Sequence, residues 1–266
     1  MKKRIGFIGS GNMASAMIAG IINARYSEAV DVFASNRSIG KLLDIKERYG
    51  VQIAENNVSV ARNCDIIFLS VTPDMYPPVI EEIKDFIRED AIVVLIAAGQ
   101  TISQNEERFG RKVKMVKAMP NMPVAVGEGL TSFSTNEFMT EEEIEEIKTL
   151  FESFGKAELI DESLMDIASA VGGSSPAFVY MFIEALADAA VLYGMPREQA
   201  YTVSAQAVLG SAKMVLETGQ HPGKLKDDVC SPGGTTIQSV ASLEENGLRA
   251  AVIHAVRANM NTIGRK

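Results

Sequence analysis

The stretch that decides the fold is Arg4-Ile5-Gly6-Phe7-Ile8-Gly9-Ser10-Gly11-Asn12-Met13-Ala14. Arg4–Ile8 is an apolar run that reads as a buried strand, and it feeds directly into a glycine turn opening an amphipathic stretch, Met13–Asn23. The order G-x-G-x-x-A is the dinucleotide fingerprint with Ala in the third glycine's place. Gly9 permits the tight turn, Gly11 admits a pyrophosphate that a Cβ would exclude, and Ala14 keeps helix and strand close. Unpaired N–H groups at the helix start, Ser10 to Met13, then face the phosphates. Glycine turns of this spacing recur by chance, and the strand–turn–helix context is what separates a cofactor site from a structural turn.

Outward from this unit the pattern repeats. Val30–Ala34, Asp65–Val71, Ala91–Ala97 and Val113–Ala118 read as further strands, near-continuously apolar as a parallel sheet covered on both faces requires. Ile39–Tyr49, Met75–Ile87 and Ile102–Phe109 carry helical patterns between them. Thr140 followed by Glu143 is a capping box opening another helix, which Gly155 is expected to end. The alternation predicts an α/β fold with a Rossmann-type, doubly wound, mostly parallel sheet over residues 1–161. From Ser163 to Thr262 no period-2 strand is found, and residues 162–266 read as an all-helical domain punctuated by Gly194-Met195-Pro196, Pro232-Gly233-Gly234 and Asn246-Gly247.

Composition narrows the function. The 266 residues are 47% apolar, and 26 basic against 34 acidic side chains leave a net charge of −8, which disfavours nucleic acid or an anionic membrane as partner. Two cysteines, Cys64 and Cys230, and two histidines, His221 and His254, offer neither a disulfide framework nor metal-ligand spacing. The expectation is a reduced, cytoplasmic protein. Pro176–Tyr193 is membrane-like in hydropathy, but Glu184 and Asp188 one turn apart make it a buried helix in this reading. Ala185–Val191 and Val203–Leu209, apolar on most faces, predict burial against a second subunit.

The second strand ends Ala34-Ser35-Asn36-Arg37, without the carboxylate that an NAD site places there; Asp31 lies at the strand's beginning. Hydroxyl, amide and guanidinium suit a 2′-phosphate, so NADP(H) is preferred and NAD(H) is the alternative; Ser35 and Asn36 also suit a helix cap. Two more strand ends, Ser70-Val71-Thr72-Pro73 and Ala97-Ala98-Gly99-Gln100, point to the same crevice. Lys117-Ala118-Met119-Pro120-Asn121-Met122-Pro123 reads as a rigid loop. In the helical half, Ser231-Pro232-Gly233-Gly234-Thr235-Thr236 precedes a helical pattern and forms either a backbone nest for a carboxylate or an ordinary N-cap. His221 and His254 are read as capping or packing residues.

Ile5–Ala14, Met119–Gly129 (MPNMPVAVGEG), Pro176–Arg197 and Asp228–Ile237 (DVCSPGGTTI) together resemble the pyrroline-5-carboxylate reductases over essentially the whole chain. The resemblance implies an N-terminal Rossmann domain and a helical domain that builds an intertwined homodimer, often assembled into larger rings. The reaction it implies is reduction of 1-pyrroline-5-carboxylate to L-proline, with NADPH preferred. It also implies that Ile8–Met13, Ser35, Asn36, Arg37, Asn57 and Ser70–Pro73 contact the cofactor, with Ala97, Ala98 and Gly99 near the nicotinamide. Ser231, Gly233, Gly234 and Thr235 would hold the substrate carboxylate, helped by Ser174, and Thr236 would bond the ring nitrogen. Departures are visible: Thr72 stands where the family has Lys, Lys117 where it has Arg, Met122 where it has Thr, and Gly172-Gly173-Ser174-Ser175-Pro176 keeps only Ser174 and Pro176 of its pattern. A related reductase for another cyclic imine and a non-catalytic NADP(H) sensor are the competing readings.

Overall fold

A computed structural model describes residues 3–263. The chain begins with β1 (Ile5–Ile8), α1 (Asn12–Asn23), β2 (Val32–Ser35), α2 (Ile39–Tyr49), β3 (Gln52–Ile53), α3 (Asn57–Asn63), β4 (Ile66–Leu69), α4 (Tyr76–Ile83), β5 (Ile92–Leu95) and α5 (Ile102–Phe109). It continues with β6 (Lys114–Pro120), β7 (Gly129–Thr135), α6 (Glu141–Glu152) and β8 (Gly155–Leu159). These strands form one eight-stranded sheet in the order β3-β2-β1-β4-β5-β6-β7-β8, parallel except where β7 runs against β6.

Alternation along each strand explains the layers. Ile5, Phe7, Ile66, Phe68, Ile92 and Val94 face α1, α2 and α6, while Ile8, Ile67, Leu69, Val93 and Leu95 face α3, α4 and α5. The Phe7 and Phe68 rings stack with centroids 4.6 Å apart. Full burial of each such side chain is worth about 1.5–3 kcal/mol, so both sheet faces contribute to stability.

The five expected strands are present, four of them shorter than their apolar runs. β6 instead runs on through Lys117–Pro120, the first part of the expected rigid loop, because β7 pairs with it as far as Pro120, and only Met122–Val126 leaves the sheet as a 3-10 turn. Residues Ala29–Asp31 form a 3-10 turn and β2 starts at Val32. Another 3-10 turn, Pro73–Met75, precedes α4, so the expected Met75–Ile87 helix is confined to Tyr76–Ile83. Three strands carry too little pattern to be read in advance. β3 has two residues, and β8 has one buried residue, Ala157. β7 buries Thr131, Ser132 and Ser134 beside Phe133. Gly155 does not end α6, which stops at Glu152; it opens β8 at φ +152°, where a Cβ would lie 2.0 Å from the Gly129 carbonyl oxygen.

Contacts divide the chain into two compact units meeting at Ser174/Ser175. Residues after β8 stay with the sheet: α7 (Met165–Ala168) and the π-turn Ser169–Gly173 follow, and Asn121 Nδ2 donates to the Gly172 carbonyl at 2.9 Å. Lys117, almost fully buried in β6, pairs with Glu162 at 3.4 Å. The strand–helix rhythm thus stops at residue 161 while the sheet's packing extends to Ser174.

The second unit, Ser175–Thr262, holds α8 (Ser175–Leu192), α9 (Arg197–Thr218), α10 (Pro222–Val229), α11 (Thr235–Glu245) and α12 (Leu248–Ile263). Helices α8 and α9 pack together, but within the single chain α8 buries only Ala187 fully. Tyr180 (60% exposed), Met181 (68%) and Phe182 on α8 lie open, as do Val252 and Ile253 on α12. The expectation of a buried α8 is therefore not met by this chain alone. The stretch Glu162–Leu192 has the length and hydropathy of a membrane span, so its exposed apolar surface calls for a cover that one copy does not supply.

Candidate active site

The turn between β1 and α1 is shaped by Gly9, at φ +98°, where a Cβ would lie 2.4 Å from the Ser70 carbonyl oxygen. Its N–H donates to the Ser35 carbonyl at 2.8 Å, tying the turn to the end of β2. Gly11 is the N-cap of α1 without a capping side chain, and a Cβ there would project into open space. Backbone donors at the start of α1 thus face a cradle that any larger residue would fill.

The turn borders a cleft of about 250 Å³ at the carboxyl ends of β1, β2 and β4. Ile8, Gly9, Ser10 and Gly11 form one wall, Asn36, Arg37 and Asn57 the next, and Ser70, Val71 and Thr72 a third. Asn36 Nδ2 donates to Ser10 Oγ at 2.6 Å while its Oδ1 accepts from the Ser38 N–H at 3.0 Å. The amide therefore both braces the glycine turn and shapes the approach to α2.

Ser35 lies beneath this wall, 2% exposed. Its hydroxyl donates to Asn57 Oδ1 at 2.7 Å, and Asn57 Nδ2 donates to Glu82 at 2.8 Å. A carboxylate only accepts, so Glu82 sets which end of Asn57 faces Ser35. Ser70 donates its N–H to the Ile8 carbonyl at 2.8 Å, but its buried hydroxyl has no partner among the described residues. An unpaired buried hydroxyl on the wall of a cleft is what a bound polar ligand would satisfy.

Of the other expected cofactor residues, Asn12 is exposed on the first turn of α1, Met13 is half-buried, and Pro73 opens the 3-10 turn before α4. Ala97, Ala98 and Gly99 follow β5 outside the cleft lining, with Gly99 at φ +73°. Three lining residues escaped the sequence reading: Lys41, Met75 and Val79. Lys41 stands one helical turn after Arg37, in the first turn of α2, and that spacing was the available signal. Arg37 reaches Met75 Sδ at 3.3 Å. Arg37 and Lys41 give this corner two cations and no carboxylate among its lining residues.

Ser174 closes the π-turn, its N–H donating to the Ser169 carbonyl at 3.1 Å. On the second unit, Ser231–Gly234 forms a turn, the Gly234 N–H donating to the Ser231 carbonyl at 3.0 Å, with Gly233 at φ +69°. Gly234 is the N-cap of α11 and supplies no side chain to its first turn. Thr235 is exposed and Thr236 half-buried, both on that turn. Such a terminus offers backbone donors to an anion with hydroxyls alongside. Cys230 precedes the turn, half-buried. His221 caps α10, its Nδ1 accepting from the Gly223 N–H at 3.0 Å, as read from the sequence, and His254 is exposed on α12.

Comparison with known proteins adds an independent line. Residues 162–265 match the family model described as pyrroline-5-carboxylate reductase dimerisation, and residues 4–99 match that of coenzyme F420-dependent NADP oxidoreductases. The chain is 48% identical to the pyrroline-5-carboxylate reductase of Escherichia coli over 96% of its own length and 95% of that protein's. It is 41% identical to that of Methanosarcina acetivorans over 96% and 94%. The solved pyrroline-5-carboxylate reductase of Coxiella burnetii superposes with a TM-score of 0.91 at 34% identity, covering 100% of this chain and 98% of that one. The Plasmodium falciparum pyrroline carboxylate reductase, solved with NADP bound, gives 0.88 at 35% identity, covering 98% and 97%. With both halves of its architecture matched and such identity across nearly its whole length, the chain belongs to the pyrroline-5-carboxylate reductase family.

Proposed function

We propose that this chain is a cytoplasmic, homodimeric enzyme that reduces 1-pyrroline-5-carboxylate to L-proline, the last step of proline biosynthesis. NADPH is preferred over NADH as reductant, and the reaction converts the ring C=N bond into CH–NH by one hydride and one proton. The observation that carries the reading is the combination, in one chain of this family, of a glycine-turn cleft with spare donors and an uncapped helix terminus bearing Thr235 and Thr236. The first suits a dinucleotide and the second a small carboxylate.

The cleft fits the cofactor: Gly11 leaves it room, the start of α1 offers N–H groups to the pyrophosphate, and Ser70 offers an unpaired hydroxyl. Arg37 and Lys41 would neutralise a 2′-phosphate, which supports NADPH over NADH. The chemistry the cofactor supplies when bound is a hydride for the imine carbon. Ala97–Gly99 would shape the nicotinamide end. The turn Ser231–Gly234 and the first N–H groups of α11 would hold the substrate carboxylate, aided by Ser174. Thr236 would hydrogen-bond the ring nitrogen and pass it a proton from water as its basicity rises. An iminium is already electrophilic, so orientation by these groups supplies much of the rate without a strong general acid.

The test is NADPH oxidation by the purified protein with pyrroline-5-carboxylate, repeated with NADH. Turnover with a faster NADPH rate is the expected result. Cofactor binding without turnover moves the assignment to another cyclic imine or to a sensor, and equal rates with both cofactors remove the role given to Arg37 and Lys41.

A further inference from the structure

We infer that Tyr76 is a positioning residue of the dinucleotide site, its hydroxyl fixing the loop after β5 and with it the nicotinamide end of the cofactor. The inference rests on the reading of the cleft given above. Tyr76 is the first residue of α4, directly after the loop whose Thr72 and Met75 line the cleft, and its side chain is fully buried beneath that loop. Its hydroxyl donates to the Leu69 carbonyl at the end of β4 at 2.8 Å. The same oxygen accepts from the Ile96 and Ala97 N–H groups, each at 3.1 Å, just past the end of β5.

The geometry at Ile96 and Ala97 gives this bridge its meaning. The β4–β5 register ends at Leu69 and Leu95, and the Leu69 carbonyl there takes the Tyr76 hydroxyl. In extended backbone, successive N–H groups point to opposite sides. Here both converge on one oxygen, so the chain has curled into a concave nest of the kind that elsewhere holds an anion. The phenol fills that nest from inside the protein and closes its own donor on Leu69. Burial raises the phenol pKa to about 12, and the two N–H groups only partly oppose that rise, so the bridge keeps its proton across the physiological range.

Packing alone does not need the hydroxyl. The ring belongs to the same buried apolar cluster as Leu69, Val79, Ile80 and Leu95, where phenylalanine would fill the same volume. Removing the oxygen strands two N–H groups and one carbonyl and frees Ala97–Gly99 to move, and small displacements at a reacting centre have large effects. The loop carrying Thr72 would keep its own contacts, so the adenosine end of the cleft should stay as it is.

The experiment titrates the full-length wild type and Tyr76→Phe with NADPH and, separately, with 2′,5′-ADP, which lacks the nicotinamide half. The expected result is an NADPH Kd raised about tenfold, with the 2′,5′-ADP Kd within about twofold of wild type. Equal weakening of both ligands would mean general damage to the cleft, and an unchanged NADPH Kd would mean the loop stands without the hydroxyl; either overturns the inference. Failure of the wild type to bind NADPH strikes the cofactor reading itself and the inference with it. Tyr76→Met carries the same comparison should Tyr76→Phe fail to fold.

Discussion

At the scale of single residues, the cofactor corner and the substrate turn make separable predictions. Arg37 and Lys41 line the same cleft without a lining carboxylate. Replacing Arg37 by Ala should weaken NADPH about 10–100-fold while changing NADH less than about threefold, because only the 2′-phosphate loses a partner. Fluorescence titration with both cofactors checks this, and parallel losses would remove Arg37 from that role. Thr236→Ala should leave NADPH affinity unchanged but lower kcat/KM by one to two orders of magnitude, about 1.4–2.7 kcal/mol. Near-wild-type turnover would take Thr236 out of the mechanism. Most cleft residues were legible because they sit in the glycine turn or at strand ends. Lys41 carried only its spacing from Arg37 as a sign, and the buried Tyr76 behind the cleft carried none, since an aromatic beside two prolines does not show what it faces.

At the scale of elements, the capping box of α6 is the clearest case of sequence dictating structure. Thr140 Oγ1 accepts from the Glu143 N–H at 3.3 Å, and Glu143 returns the contact to the Thr140 N–H at 3.0 Å. Glu143 also takes the Lys114 ammonium from β6. Burial pushes the Glu143 carboxyl up, but the Lys114 and Thr140 hydrogen bonds together outweigh it and hold the pKa below the ordinary glutamate range. A carboxyl depressed in the folded state stabilises above its unfolded pKa, about 4.3, and loses that contribution as pH falls through the folded value. Glu143→Gln should therefore melt below wild type at neutral pH, with the gap closing as the pH drops through the carboxylate range. A gap independent of pH would assign the effect to something other than charge. Gly155 shows the opposite situation. A glycine after a helix reads as its stop, yet its conformation is set by the close pass of Gly129 on β7, a contact between residues of two strands.

At the scale of the whole molecule, the helical unit is apolar where a lone chain meets water. Tyr180, Met181 and Phe182 on α8 stand open, in the region that matches the dimerisation family model. Burying such a face against a second copy is the economical way to remove it from solvent. Replacing Tyr180 by Glu and Met181 by Lys should raise the dimer Kd at least about a hundredfold, about 2.7 kcal/mol. The first unit should stay folded, as judged by NADPH binding. Sedimentation at micromolar concentration reads the mass, and an unchanged dimer would move the interface off this face of α8.

What the sequence determined by itself was whatever rests on local chemistry. The glycine turn, the five apolar strands, the helices from Ile39 to Tyr49 and from Ile102 to Phe109, the capping box and the His221 cap all depend on residues near in the chain. Tertiary structure decided the rest. The serine- and threonine-rich β7 is a strand because β6 and β8 flank it, with Met119 opposite Ser132 and Phe133 opposite Leu159. Segment 162–174 belongs with the sheet because Asn121 and Lys117 hold it there. The Tyr76 bridge exists because β4 and β5 end side by side. In each case at least one partner lies far along the chain, and satisfaction of these contacts across that distance leaves no periodic trace in the residues that provide it.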